Sequence, residues 1–354
     1  MQQSYSGAFG RLMAMSLDFL TKEQLHELVR ARDVAEIAQR LEATWYKDDI
    51  EEAAAAHKPP ELIEIAVNRH LVNLNGIAVE VSPSGGRRIL EAYLAKWDIE
   101  NIELILAAKS LGRSLEETEA FLVSRRSLPG SESTSAIPMS ELQVLLEQSD
   151  IEAVINSLVK YGYGAVLLQQ LSEFRKSGDL GVFSGALQNL YYARLLWALR
   201  FVHGDEGVLR EYIRAEITKR DILNLLKSKQ SNLDRDVVSR HLIDGGLISQ
   251  ASLLDSYTSP DIGDAVKKLE PWFNLSEAFE KYRQTLDLTE FEVAIDKLIV
   301  ARYLTDLRSM ALSLTAVFAF IFQAEMERQN IRRITYAKQY GMTEDYINSV
   351  LLAG

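Results

Sequence analysis

The sequence predicts an all-α protein made of three similar helical units. Apolar residues recur every three or four positions along nearly the whole chain, as at Leu62, Ile65 and Ala66, which is the period of an amphipathic helix. The seven prolines stand at junctions between such segments rather than inside them. Three long stretches of the chain also align with one another, and repetition at this scale indicates repeated structural units.

The composition is that of a folded protein of ordinary polarity. Of the 354 residues, 47% are hydrophobic and 25% are charged, which permits a sizeable core. The formal net charge of -11 argues against a nucleic-acid partner, because phosphate binding needs clustered Lys and Arg. The chain has no cysteine, which excludes disulfides, thiolate nucleophiles and cysteine metal ligands.

Two segments bear on membrane insertion. Residues 1–20 show no basic stretch followed by a clean apolar run, so no signal peptide is predicted. The most apolar run, residues 309–322, is flanked by charged side chains and is shorter than the about 20 residues that a helix needs to cross a bilayer. We therefore interpret it as a buried helix of a soluble protein.

The first repeated element is a pair of short helices. A hydroxyl residue is expected to begin the first helix in each copy: Thr21, Ser140 and Ser249. An aspartate followed by an apolar residue is expected to cap the second helix: Asp33, Asp150 and Asp261. A short side chain with an oxygen acceptor suits this position because it satisfies a free amide of the first helical turn.

A longer helix follows the short pair. Residues 183–196 align with 291–304 at a constant offset of 108, whereas the corresponding first-copy residues 62–74 match only weakly. The stretch GIAVEVS at 76–82 alternates between apolar and other residues over a short run. It is the only plausible β-strand that the sequence predicts.

The third repeated element is a helix pair that spans 22 residues without a gap in every copy. The copies begin with Asn or Asp followed by isoleucine, at Asn101, Asp221 and Asn330. Their ninth residue is always a lysine: Lys109, Lys229 and Lys338. A turn is expected at one residue of each copy: Gly112, Asn232 and Gly341. A capping residue should then begin the second helix: Ser114, Asp234 and Thr343.

These elements together form a unit of roughly 110–120 residues that occurs three times. We predict helical domains at 1–127, 128–244 and 245–354, with a Ser/Gly-rich connecting loop at 124–140. Chance similarity among amphipathic helices is the alternative explanation. The ungapped register, the shared lysine and the shared caps argue against it.

The sequence gives no positive sign of catalysis. It contains no P-loop, no Gly-x-Gly-x-x-Gly turn after a strand and no Gly-x-Ser-x-Gly motif. The five histidines are scattered without the His-Glu-x-x-His spacing of a zinc site. Adjacent acids such as Glu116 and Glu117 occupy diverging positions of a helix, which is typical of a solvated face. We therefore predict no catalytic residue, no metal and no cofactor.

Three stretches carry a resemblance to a known family. They are ERQNIRRITYAKQYGMTEDYINSVL near the end, GAFGRLMAMSLDFLTKEQLHELV at the start and FEVAIDKLIVARYL at 291–304. Together with the length, the helical character and the triple repetition, they resemble the C subunit of archaeal and bacterial A/V-type rotary ATPases. Its equivalent in the eukaryotic vacuolar enzyme is the d subunit. The paired arginines Arg332 and Arg333 have no counterpart in the first two copies.

The resemblance implies a pseudo-threefold funnel of three similar helical domains and a non-catalytic role. Such a protein sits in one copy on the cytoplasmic face of the membrane rotor ring, which is built from proteolipid c/K/L-type subunits. It accepts the foot of the central stalk, formed by the D and F subunits, and transmits torque in a proton- or sodium-translocating ATP synthase or ATPase.

Two other classes of function are alternatives to this role. A generic helical-repeat scaffold for protein interactions would show the same helices without a closed three-part arrangement. A helical enzyme would need a cluster of metal-binding acids or histidines on facing helices, and the sequence shows none.

Partner binding is predicted for six polar residues of the helix pairs: Asn330, Arg332, Arg333, Lys338, Lys109 and Lys229. The alternative for the arginines and Asn330 is that they tie the last helix to the core. The alternative for the lysines is packing within the repeat or bonding to helix ends. The segments 111–122, 231–242 and 341–351 are the predicted socket or rim surfaces.

Overall fold

The computed structural model describes residues 5–123, 137–201 and 207–352, and over these ranges the protein is all-α with no strand. The all-α prediction is confirmed. The described residues form twenty α-helices: α1 Ser6–Met15, α2 Lys22–Val29, α3 Val34–Leu41, α4 Lys47–Ala54, α5 Glu61–Val81, α6 Ser84–Leu94, α7 Lys96–Leu111, α8 Leu115–Glu119, α9 Met139–Glu147, α10 Ile151–Ser157, α11 Gly164–Ser177, α12 Gly181–Ala198, α13 Gly207–Gln230, α14 Arg235–His241, α15 Gln250–Tyr257, α16 Ile262–Leu269, α17 Ser276–Thr285, α18 Thr289–Ser309, α19 Leu314–Gln339 and α20 Glu344–Val350. Single 3-10 turns lie at Ser16–Asp18, Leu158–Tyr161 and Leu199–Phe201.

The chain divides into two compact units. Unit 1 comprises Met1–Gly164 and Met310–Leu351, and unit 2 comprises Ala165–Ser309 with Leu352–Gly354. Unit 1 therefore holds both the first and the last helices of the chain. The predicted division into three domains stays a prediction. No helix of the described residues is both long enough and apolar enough to cross a membrane.

Unit 1 is organised around α5 and α19, which pack against each other. Its core includes Ile63 and Val67 of α5 and Ile331 and Ile334 of α19, all almost wholly buried. The apolar run predicted as a buried helix forms the start of α19, from Leu314 onward, and its phenylalanines are buried. That prediction is confirmed, although the run's residues 310–313 lie before the helix.

Unit 2 is organised around α13, which packs against α18 and also contacts α14, α15 and α16. Ile213, Ile217 and Leu225 of α13 are fully or almost fully buried, as are Ile295 and Ile299 of α18. In each unit, the long first helix of a helix pair (α19 or α13) therefore packs against another long helix (α5 or α18). This packing is favourable because each of these helices carries an apolar stripe, which the contact removes from water.

The predicted strand at 76–82 is wrong, since these residues end helix α5. Ala78 and Val79 are buried and follow Leu71, Leu74 and Asn75 on one face, which is a helical spacing. The alternation of apolar and other residues at 76–82 covers only a few residues, whereas the apolar face of α5 continues through the whole helix. The helix ends where the Ser82 hydroxyl donates back to the Ala78 carbonyl at 2.7 Å, and a proline follows.

Most of the predicted helix caps are confirmed. The side chains of the three aspartates each accept a bond from the amide three residues on: Asp33, Asp150 and Asp261. Thr21 and Ser249 cap the first helices of their pairs in the same way. Ser140 does not, because α9 begins at Met139 and its N-cap is Pro138.

The repeat register explains the error at Ser140. Thr21 and Ser249 each stand twelve residues before the capping aspartate of their copy, and the residue twelve before Asp150 is Pro138. Its extended backbone, at φ -64° and ψ 155°, provides the geometry that a helix start requires. Of the predicted connecting loop at 124–140, residues 124–136 lie outside the described residues.

Candidate interaction surface

The three helix pairs, α7–α8, α13–α14 and α19–α20, turn in the same way. The turn residue has left-handed backbone in every copy, with φ 65° at Gly112, 52° at Asn232 and 68° at Gly341. Its amide donates to the carbonyl of the ninth-position lysine, and the next amide donates to the carbonyl one residue earlier. These two bonds are the Schellman motif, which satisfies carbonyls at the end of a helix.

The second helix of each pair begins with the predicted cap. Ser114 and Thr343 accept from the amides of Glu117 and Tyr346, three residues on. Asp234 stands at the equivalent position before α14 but its side chain makes no capping bond. The local signal in the sequence was therefore right about where each helix begins and right about the bond in two copies.

In the first two pairs, the first residue joins the two ends of the pair. Asn101 donates from Nδ2 to the Val123 carbonyl and accepts from the Val123 amide, both at 2.8 Å. Asp221 accepts from the amide of Ile243 at 2.9 Å. Asn330, at the same position of the third copy, is buried. This position is thus internal to the fold in every copy.

Two of the three lysines bond to backbone at the end of another helix. Lys109 Nζ donates to the Leu146 carbonyl, and Lys229 Nζ donates to the Tyr257 carbonyl at 2.8 Å and to that of Ser259. Leu146 and Tyr257 occupy equivalent positions, each four residues before the capping aspartate of its copy. A cation placed at helix-terminal carbonyls is favoured by the helix dipole.

The third lysine differs from the other two. The side chain of the half-buried Lys338 forms no hydrogen bond or ion pair with any residue in the described part of the chain. The residue equivalent to Leu146 and Tyr257 would be Val29, four residues before Asp33. The prediction that the lysines bond to helix ends is confirmed for Lys109 and Lys229. Partner binding by any of the three stays a prediction.

Each helix pair packs against a first cap helix. Helices α7 and α8 contact α9, and α13 and α14 contact α15, so each pair packs on the first cap helix of the next copy. The third pair has no following copy. Instead, α19 contacts α2 and α3, and α20 contacts α2, which are the cap helices of the first copy. Within unit 1, the end of the chain therefore closes on its beginning.

The arginines of α19 make internal contacts. Arg332 Nε lies 2.8 Å from Oε1 and 2.9 Å from Oε2 of the buried Glu64, on α5. Arg328 Nε donates to Asn68 Oδ1 at 2.6 Å, and its Nη2 lies 3.8 Å from Glu64. Arg333 Nη1 donates to the Val350 carbonyl at 2.8 Å, which joins α20 to α19. The predicted partner role of Asn330, Arg332 and Arg333 stays a prediction.

Unit 2 repeats this arrangement. Lys219 stands two residues before Asp221, as Arg328 stands two before Asn330. It forms an ion pair with Asp296 and lies 4.0 Å from Glu292, both on α18. Asp296 and Asn68 each stand 35 residues after the capping aspartate of their copy, and Glu292 and Glu64 each stand 31 after it. This position was not predicted from the sequence, although the cation two residues before the second and third helix pairs indicated it.

A second buried carboxylate joins α19 to the start of the chain. Glu327 accepts hydrogen bonds from the Leu20 amide, from Trp45 Nε1 at 3.2 Å and from the Tyr46 hydroxyl at 2.8 Å. Burial raises the pKa of Glu327 to about 7, against the three donors, which act to lower it. This cluster was not predicted, because Glu327 lies more than 280 residues from each of its partners in the chain.

The turns of the helix pairs expose apolar side chains. We call residues 111–113, 231–233 and 340–342 the turn tips. Four of their side chains are exposed: Leu111 at 68%, Leu233 at 39%, Tyr340 at 72% and Met342 at 46%. Exposed apolar side chains are stabilised when a protein partner covers them and excludes water. Within the described ranges no group of acids and histidines could hold a metal ion.

Comparison with known proteins gives a consistent result. The sequence model of the family described as ATP synthase (C/AC39) subunit matches residues 8–350. The chain is 35% identical over 354 residues to the C subunit of the A-type ATP synthase from Thermoplasma volcanium, covering 100% of this chain and 99% of that protein. It is 34% identical to the corresponding protein of Thermoplasma acidophilum, with 99% of both chains covered. The corresponding protein of Methanocaldococcus jannaschii is 25% identical over 99% of this chain and 86% of its own.

Proposed function

Because the chain belongs to the ATP synthase (C/AC39) subunit family, we propose that it is a non-catalytic part of the central stalk of an A/V-type ATP synthase or ATPase that moves protons or sodium ions. In this role a single copy lies on the cytoplasmic face of the membrane rotor ring. Its three helical domains form a pseudo-threefold funnel that takes the foot of the central stalk. Its partners are the proteolipid c/K/L-type subunits of the ring and the D and F subunits of the stalk.

The packing of the third helix pair on the first cap helices, within unit 1, supports this proposal. In an open helical array the last repeat exposes an apolar face and needs a dedicated cap. Here the cap helices of the first copy, α2 and α3, cover the last pair, α19 and α20. This packing is what the proposed ring of three domains around an axle requires. It favours the rotor role over the generic helical-repeat scaffold, which is the second candidate function.

The buried ion pairs suit a part that transmits torque. Lys219 with Asp296, and Arg328 with Glu64, join a helix of one copy to the long helix of the next. Separating a buried pair leaves an uncompensated charge and costs about 3–5 kcal/mol, so these junctions resist sliding. Stiffness at such junctions, rather than a reactive group, is what a coupling part of a rotary machine needs.

The turn tips are the proposed contact with the ring or the stalk. The full chain should form a one-to-one complex with a purified rotor ring and with a purified D–F stalk, measured by native mass spectrometry. Replacing Leu111, Leu233 and Tyr340 with serine should weaken one of these complexes by about tenfold or more, since each buried apolar side chain contributes roughly 1.5–3 kcal/mol.

A matched control is available in the 3-10 turn at Leu158–Tyr161, where Val159 is 48% exposed. Val159→Ser should leave both affinities unchanged. A chain that binds neither the ring nor the stalk would overturn the rotor proposal. Several chains bound to one ring would favour the scaffold instead. Binding unchanged in the triple variant would remove the turn tips from the contact.

A further inference from the structure

The first residue of the second helix pair is an acid where the other two copies have an amide. Asn101 exchanges two hydrogen bonds with Val123, accepting through Oδ1 and donating through Nδ2. Asp221 makes the equivalent bond through Oδ1, from the Ile243 amide at 2.9 Å. Its Oδ2 is buried and has no hydrogen-bond partner among the described residues, although the residue is only 1% exposed.

The equivalence of the two positions indicates what Oδ2 faces. In the first copy the second side-chain atom donates to the carbonyl of the residue 22 positions on, and in the second copy that residue is Ile243. An ionised carboxylate has no hydrogen to donate to a carbonyl. A neutral carboxylic acid has the shape of a carboxamide and carries one O–H donor.

We propose that Asp221 is a proton-operated latch for the second helix pair. With a proton on Oδ2, the side chain donates to the Ile243 carbonyl and completes the two-bond clamp that Asn101 forms with Val123. When Oδ2 loses its proton, one bond remains, and the segment after α14, residues 242–247, is held less tightly. The latch adds a response to pH that the first and third copies lack, because asparagine does not titrate in this range.

The surroundings favour the neutral form. The pKa of Asp221 is raised from 3.8 to about 7, because burial and the nearby Asp244 raise it by more than the Ile243 amide lowers it. Charged side chains on the helices packed around α13 are engaged with other groups: Lys219 with Asp296 and Glu292, Arg240 with Glu173, Lys268 with Asp255 and Lys267 with Asp264.

The direction of the pH response follows from linkage. Between pH 3.8 and about 7 the folded chain holds a proton on Asp221 that the unfolded chain has released. The contribution of Asp221 to stability is therefore full below that window and falls as the pH rises through it. Above about 7 the ionised form is buried in the folded chain at a cost.

Hydrogen exchange of the full-length chain tests the latch. After correction for intrinsic exchange, protection of residues 242–247 should fall about tenfold or more between about pH 5.5 and 8.5, in line with a free-energy change of at least 1.36 kcal/mol. Asp221→Asn should keep high protection across this range. The equivalent segment after α8, near Val123, serves as an internal control that should not respond.

Two further measurements test the role of Asp221 in the latch. Asn101→Asp should transfer the pH response to Val123, and if this variant fails to fold at neutral pH it should fold at about pH 5, where the acid is neutral. Carbon-13 NMR of the Asp221 carboxyl should show a midpoint well above 5. A midpoint below 5, or a pH response of the wild-type segment that Asp221→Asn retains, would overturn the latch.

Discussion

Glu64 forms ion pairs with two arginines that lie on the same face of α19, Arg332 at 2.8 Å and Arg328 at 3.8 Å. It is 2% exposed, whereas the Arg332 side chain is 36% exposed and that of Arg328 is 10% exposed. The carboxylate is thus the member that the fold removes from water, and the two cations together compensate it. Removing the carboxylate takes from the buried Arg328 its ion-pair partner, so that only the more remote charges of Glu100 and Glu325 oppose it, while removing Arg332 leaves Glu64 with Arg328 and the Tyr336 hydroxyl, 3.3 Å away.

We expect the two halves of this interaction to differ in their effect on stability. Glu64→Ala should lower the free energy of unfolding by about 3–5 kcal/mol because it removes the ion-pair partner of the buried Arg328. Arg332→Ala should cost about 1–2 kcal/mol, since its side chain is partly solvated. Urea denaturation followed by circular dichroism measures both. Lys281→Ala, at an exposed ion pair with Glu277, is the control and should cost less than about 1 kcal/mol. Equal losses for Glu64→Ala and Arg332→Ala would contradict this explanation.

Residue-scale prediction from the sequence worked where the cause was local. The caps at Asp33, Asp150 and Asp261 depend on a side chain and an amide three residues away, so a short stretch of sequence contains the whole interaction. The partners of Glu64 lie more than 260 residues away, and only the fold brings them together. For the same reason the sequence suggested that Arg332 and Arg333 matter without indicating which atoms they contact.

At the scale of the element, the left-handed turn between paired helices explains why two of the three copies have a glycine at this position. A left-handed residue is strained when it carries a Cβ, and Gly112 and Gly341 remove this strain. Nothing lies within 4 Å of a Cβ added at either position, so the backbone conformation alone requires glycine there. The second copy uses Asn232, the residue that tolerates this conformation best after glycine. The sequence predicted all three turns because their chemistry lies within a few residues.

We expect Gly341→Ala to destabilise the chain by about 1 kcal/mol through this conformational strain, and Asn232→Gly to be neutral or slightly stabilising. Gly10→Ala is the matched control, because Gly10 lies inside α1, also with nothing within 4 Å of the added Cβ. That variant should stabilise by about 0.5–1 kcal/mol, since alanine favours a helix interior. Thermal denaturation compares the three. Equal shifts for Gly341→Ala and Gly10→Ala would show that backbone conformation does not determine the effect.

At the scale of the whole molecule, the groups of helices that pack together do not coincide with the copies of the repeat in the sequence. Each helix pair packs on cap helices that belong to the next copy, so a packing module combines residues from two sequence units. The sequence predicted three copies, because the caps and the helix pairs recur in the same order. It did not show that the third pair packs on the first cap helices, because that contact joins opposite ends of the chain. The consequence is that the N-terminal helices α2 and α3 depend on the C-terminal helix α20.

This dependence predicts the effect of shortening the chain. A stop after Gly341 removes α20, with the buried Ile347 and Val350, and with them the Arg333 bond to the Val350 carbonyl. Loss of two buried aliphatic side chains should cost about 3–6 kcal/mol in the module formed with α2 and α3. In hydrogen exchange, protection of α2 and α3 should therefore fall by about a hundredfold or more. The equivalent cap helices of unit 2, α15 and α16, pack on α13 and α14 and should keep their protection.

A uniform loss across both units would mean that the truncation unfolds the chain as a whole. Unchanged protection of α2 and α3 would mean that closure on α20 contributes no stability to the start of the chain.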